Sequence, residues 1–201
     1  TIFADLKDVF GNYRVIWTCI CAGFMVGPLE GFADVWGTAY LKQAYGFDSA
    51  IAASLPSMIF IGMCFGSPLL SWIAEKAGYL ATIIGAGLVM AVVFTLMLTG
   101  SASKELLSIG FILTGICCAY QILAIYAAST YVKETVAGLT TAVANMIIMI
   151  FGYAFHSVIG GIISMTGNPI SESISYGVAV IPVALCIGSV GFYILYRDKK
   201  H

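Results

Sequence analysis

Apolar residues fill six long blocks of this chain, and polar residues gather in the short breaks between them. The blocks cover about 14–42, 48–75, 79–100, 104–131, 136–165 and 174–197. Each offers ~20 or more mostly apolar residues, enough for a helix to cross a hydrocarbon core of ~30 Å at ~1.5 Å per residue. The pattern predicts an all-α, six-transmembrane-helix bundle. The breaks read Tyr45-Gly-Phe-Asp48, Glu75-Lys-Ala-Gly78, Gly100-Ser-Ala-Ser-Lys104, Lys133-Glu134 and Thr166-Gly-Asn-Pro169. Asp48 suits an N-cap for the second span, and Gly100 a stop for the third. Before the first span, Ile2, Phe3, Leu6, Val9 and Phe10 alternate with Asp5, Lys7 and Asp8 at helical spacing. That spacing predicts an amphipathic segment in the membrane interface. The expected organisation is a linker over 1–13, the bundle over 14–197 and a tail over 198–201.

Composition agrees. The chain is 60% apolar and 9% charged, against about 25% charged in soluble domains, so an integral, multi-pass membrane protein is expected, with the lipid bilayer as its surroundings. A net charge of −1 gives no basic tract for nucleic acid. The cysteines at 19, 21, 64, 117, 118 and 186 all fall in apolar spans and read as packing residues. Cys19 and Cys21, two apart, point to different helix faces. Neither a metal-ligand spacing nor a catalytic or phosphate-binding motif is present, so no cofactor or metal is implied. The first apolar run is too long and too late for a signal peptide. The chain opens on Thr1 rather than Met, which fits a piece cut from something longer.

Charge predicts orientation. With the N-terminus inside, Lys7, Arg14, Lys76, Lys133, Arg197, Lys199 and Lys200 fall inside, and Lys42 and Lys104 outside. Seven against two is a positive-inside bias, with both termini cytoplasmic. Gly23-Phe24 in the first span and Gly110-Phe111 in the fourth each precede a glycine four or five residues on. An inverted 3+3 repeat would make those spans counterparts.

The first span holds the strongest candidate chemistry. Glu30 and Asp34 sit four residues apart within it, which places them on one helix face. Charge near mid-membrane costs several kcal/mol, so the pair should face the bundle interior or a water-filled cavity. Gly23, Gly27, Gly31 and Gly37 line much the same side, allowing close backbone approach. Gly27, Pro28 and Gly31 form the expected kink, because Pro28 leaves a carbonyl unpaired. Paired carboxylates in an apolar setting suit loading and releasing a proton, and equally suit holding a cationic group of a substrate. Lying near the headgroups, they would merely be solvated. His156 in the fifth span lies level with them by residue count, as a proton partner or a packed residue. Tyr120, Gln121 and Asn145 are polar groups within apolar spans, able to bond substrate or neighbouring helices. Trp36, Tyr40 and Tyr45 fit an aromatic belt at the outer interface.

Ile51 to Tyr79 is an apolar span ending in an abrupt charged turn, and its end resembles a family pattern. In the major facilitator superfamily of secondary transporters, the loop after the second helix of each half reads roughly G-x-L-A-D-R-x-G-R-R. Here Ser71 stands for the first Gly, Ile73 for Leu, Ala74 for Ala, Glu75 for Asp, Lys76 for Arg and Gly78 for the second Gly. Tyr79 departs where the family puts a basic residue. The run from Tyr45-Gly46 through Ala50, Ala52, Ala53, Gly62 and Gly66-Ser-Pro68 follows the family's approach to that loop. Lys133 to Asn145, closing with Gly160-Gly161, looks like the fifth helix of a half. Gly23-xxx-Gly27-Pro28-xx-Gly31 resembles the drug-efflux antiporter signature, which in the family belongs on the fifth helix; here it falls on the first span and reads as a kink.

The resemblance covers nearly the whole chain and implies the C-terminal half of a twelve-helix fold. It implies alternating-access transport of a small polar metabolite, with proton coupling, in a bacterial inner membrane. The partner would be the N-terminal half of the same transporter or a second copy. Ser71, Glu75, Lys76 and Gly78 would belong to a loop that latches the halves on the cytoplasmic side, with Glu75 in the gating role. Alternatives are a homodimeric six-span carrier or channel, a drug or metabolite efflux antiporter, and an intramembrane enzyme using Glu30, Asp34 and His156. The last lacks a nucleophile or ligand set.

Overall fold

The computed structural model describes residues 2–167 and 169–199, without the side chains of Pro28 and Ser171. Asn168, Lys200 and the Pro28 side chain therefore lie outside the described residues. Among these residues there is no strand. Backbone polar groups in lipid must be satisfied within their own segment, and the chain does this with helices. They are α1 (Ile2–Gly11), α2 (Tyr13–Gly31), a π-helical turn (Phe32–Trp36), α3 (Gly37–Tyr45), α4 (Ser49–Ala77) and α5 (Tyr79–Leu98). Then follow α6 (Lys104–Cys118), α7 (Tyr120–Ser129), a 3-10 turn (Glu134–Val136), α8 (Ala137–Met165), α9 (Ile170–Val178) and α10 (Val180–Asp198).

Six of these runs are long and apolar enough to cross a membrane: Tyr13–Tyr45, Ser49–Ala77, Tyr79–Leu98, Lys104–Ser129, Glu134–Met165 and Glu172–Asp198. Local chemistry sets their ends. The Asp48 side chain accepts from the Ile51 amide at 2.8 Å and starts the second span. Gly100, at φ +70°, takes the left-handed turn that stops the third. In the sixth, Pro182 has no amide to offer the Val178 carbonyl, and the helix is interrupted between α9 and α10 just there. Pro56 and Pro68, by contrast, are carried inside a continuous α4.

The packing is that of an inverted repeat. The first span runs along the fifth, the fourth runs along the second, and the sixth packs on the third and first. The expected counterparts, spans one and four, thus make equivalent crossings. Their glycines show how. A Cβ on Gly27 would meet the Phe151 carbonyl oxygen of the fifth span at 2.7 Å. A Cβ on Gly115 would overlap the Ile59 carbonyl of the second, and one on Gly62 the Ile112 carbonyl of the fourth. At both crossings backbone meets backbone, which is how helices associate where lipid removes the hydrophobic drive. Gly23 and Gly31 share Gly27's side, facing Phe151 and His156. Gly37 does not, facing Phe32 and Pro56 instead. The intervening π turn, with five residues per hydrogen-bonded step, rotates it onto the second span.

The main core lies where spans one, three and four meet. Phe32 stands edge-on to Phe94 at 5.1 Å between centroids and 5.6 Å from Phe111. A smaller cluster joins Val9 of α1 to Val15, Cys19, Ala128, Val136, Val143 and Ala144. Cys19 belongs to this cluster and Cys21 to the main core, so the two do point apart. Cys64 and Cys186 are exposed on the bundle rather than buried.

Gly115→Ala is expected to lower the thermal unfolding midpoint of the detergent-extracted protein, at a cost of about 1–3 kcal/mol for overpacking. Gly85→Ala, where nothing lies within 4 Å of an added Cβ, should lose nothing. Equal midpoints for the two variants would contradict the backbone contact.

Candidate functional site

Charge inside an apolar bundle needs a place built for it. Glu30 closes α2, half-buried, at the level where spans one, two, four and five converge. Its carboxylate lies directly on Gly152 of α8, where any Cβ would overlap it. Gly152 thereby leaves the seat that the carboxylate occupies. Beside it is a cavity of about 120 Å³, walled by Val26, Leu29 and Ala33 of the first span, Ile59, Phe60 and Met63 of the second, and Cys118 of the fourth. The polar groups reaching it are Glu30, Asp34 and Gln121. No lysine, arginine or histidine is in its lining. The cavity thus offers two carboxylates and one amide on an apolar wall.

Glu30 and Asp34 share this cavity, as their spacing predicts, but on unequal terms. Asp34 sits within the π turn and is exposed, whereas Glu30 is half-buried. The π turn also places the irregularity of the first span over 32–36. The backbone at Gly27, Pro28 and Gly31 remains helical. The carbonyl that Pro28 leaves without an amide belongs to Phe24, one turn before it, so the wide turn at 32–36 is not the proline's direct effect; turns of this kind are frequent at functional positions.

His156, half-buried one turn along α8 from Gly152, packs its ring beside Gly31. Its main-chain oxygen accepts from the Trp36 indole at 3.4 Å. It is therefore a neighbour of the Glu30 seat, outside the cavity lining. Tyr120 points elsewhere. It has no exposed surface, and its hydroxyl donates to the Ala22 carbonyl at 2.7 Å. In this structure it ties the fourth span to the first and does not reach the cavity. Its neighbour Gln121 takes the cavity side because consecutive helical residues face about 100° apart. Asn145 is exposed on α8 and apart from this cavity.

The aromatic-belt expectation is corrected. Tyr40 is buried, and both Tyr40 and Tyr45 donate to the Met97 carbonyl, at 3.2 and 2.6 Å. Trp36 lies on Gly160. All three turn inward and fasten the end of the first span to the third and fifth. A sequence shows that such rings are near an interface but not which way they face.

At the opposite end of the second span, Ser71, Glu75 and Lys76 are exposed on the last turns of α4. Gly78 follows at φ +86°, a backbone setting that L side chains rarely adopt. The Lys76 ammonium lies 3.8 Å from the centre of the Trp72 ring, one turn back. Glu75 makes no hydrogen bond or ion pair within the described residues. Sequence reasoning missed Cys118, Phe60 and Met63 as cavity walls and Gly152 as the carboxylate's seat. The only signal for Gly152 was a small residue one turn before His156.

Tyr120→Phe is expected to cost about 0.5–1.5 kcal/mol of stability by removing one buried hydrogen bond, read as a lower unfolding midpoint, with ligand binding untouched. A variant that binds ligand more weakly at unchanged stability would return Tyr120 to the site.

Set against known families, the chain matches a model described as the Major Facilitator Superfamily over residues 4–201. A comparison with curated proteins found no match.

Proposed function

The chain belongs to the major facilitator superfamily, a family of membrane transporters rather than enzymes, and on that premise we propose that it is the C-terminal half of a proton-coupled secondary transporter for a small polar metabolite. It is about half the size of a full member. A second six-helix unit would complete the site between the halves and allow alternating access.

The observation that carries this reading is the Glu30 seat. A carboxylate is held among four converging spans, beside a cavity with a second carboxylate and no basic group in its lining. Such a carboxylate is neutralised by a proton or by a cationic cargo, and a transporter that exchanges the two would couple them. Asp34, more exposed, would be the point of first contact with water. Gln121 would orient the cargo by hydrogen bonds.

The outer surfaces of the second and fifth spans support the missing partner. They keep less of their surface within the bundle than the other four spans do. Phe60, Phe65, Trp72, Met146, Ile150 and Tyr153 are exposed along them. Glu75, unpaired within the described residues, would meet a helix end of the other half when the inner gate closes. The charge distribution supports placing that loop and both chain ends in the cytoplasm. A bacterial inner membrane remains part of this proposal.

Glu30→Gln and Asp34→Asn, each made in the full protein and assayed in proteoliposomes under an imposed pH gradient, should abolish gradient-driven uptake while counterflow exchange survives. Both variants keeping wild-type pH dependence would remove the carboxylates from the coupling.

A further inference from the structure

Tyr79 stands where the resemblance leads one to expect a basic side chain, and the structure brings a cation to that place from elsewhere. Lys199, on the turn that closes α10, donates from Nζ to the Tyr79 hydroxyl at 2.6 Å. The same ammonium lies 4.5 Å from the centre of the Tyr79 ring. Tyrosine thus receives the cation through its hydroxyl oxygen, with the ammonium beyond the hydroxyl end of the ring rather than over its face. The ring is itself fixed, edge-on to Tyr126 with centroids 5.7 Å apart.

The preceding residue is held as well. Asp198 accepts from Arg14 at 3.0 Å and from the Tyr13 hydroxyl at 3.2 Å. The Arg14 guanidinium in turn lies 5.9 Å from the Tyr131 ring centre. Two successive residues at the end of α10 therefore reach the starts of the first and third spans. Asp198 turns to Arg14 and Tyr13, while Lys199 turns to Tyr79. Among the described residues, the charges at the 75–79 loop are then Lys76 over Trp72, Lys199 on the Tyr79 hydroxyl, and Glu75 without a partner.

We propose that Lys199 is the second cation of this loop, delivered from the end of α10 through Tyr79, and that it helps hold the loop docked when this end of the bundle is closed. Tyr79 is the receptor for that cation and not a gap in the pattern. The proposal rests on reading the loop as the inner gate.

Endoproteinase Glu-C cutting after Glu75, in the full detergent-extracted protein, reads loop exposure without any transported solute. Lys199→Ala and Tyr79→Leu should each speed that cut by about threefold. Lys199→Arg should stay at the wild-type rate. Tyr79→Arg in the Lys199→Ala background should restore it, because the cation returns to the loop although position 199 can no longer tie anything. A purely structural tie between α10 and α5 would not be rescued in this way. Cutting after Glu134 serves as the control. A rise there in step with Glu75 marks general loosening and counts against the proposal, as do equal rates for wild type and Lys199→Ala, or failure of Tyr79→Arg to restore. A protein that moves no solute in proteoliposomes would sink the transporter reading alone, since the cutting rates decide the role of Lys199 without it.

Discussion

Backbone contact at two helix crossings is the constraint on which the rest of this bundle depends. In water, apolar surface would drive the helices together, but lipid tails are as apolar as the side chains they would replace. What remains is close approach, and only glycine permits it here. Gly62 and Gly115 bring the second and fourth spans together, and Gly27 brings the first onto Phe151 of the fifth. Because the two crossings are equivalent under the inverted repeat, the four spans converge on one region. The carboxylate of Glu30 lies in that region, in the space Gly152 leaves open. The geometry that makes the helices adhere is also the geometry that admits a charge among them.

This arrangement links packing to mechanism. A carboxylate in hydrocarbon is expensive, and the cost is tolerated where the group has work to do. Glu30 is half-buried and Asp34, one π turn further on, is exposed, so the two differ in access to water although they line one cavity. The two ends of the bundle are built differently. Beyond the carboxylates, Tyr40 and Tyr45 fasten the first span to the Met97 carbonyl by neutral hydrogen bonds. At the end carrying both termini, charged side chains do the fastening: Arg14 to Asp198 and Lys199 to Tyr79. The Arg14–Asp198 pair is exposed, and such surface pairs are weak and easily exchanged, which would suit the inner gate proposed for this end.

The spans were legible because lipid leaves so few options: a run of about 20 apolar residues is a helix, and Asp48 and Gly100 mark boundaries by local chemistry alone. The alternation of Glu30 and Asp34 was legible for the same reason, since helical spacing is local. Direction across the bundle was not. Tyr120 and Gln121 look equally polar in sequence, yet one is buried against Ala22, 98 positions away, and the other lines the cavity. Tyr45 reads as a belt residue until its partner at Met97 is known. The same holds for Lys199 and Tyr79, 120 positions apart. The π turn over 32–36 was missed because no composition marks it.

The central claim is that this bundle is one half of a larger transporter, with its exposed second and fifth spans covered by another six-helix unit. Native mass spectrometry of the protein extracted from its own membrane, carrying a tag at its C-terminus, tests it directly. The account predicts a species of about twice 21.3 kDa, as one polypeptide or as a stable pair. A lone chain of 21.3 kDa that binds and moves solute by itself would contradict it.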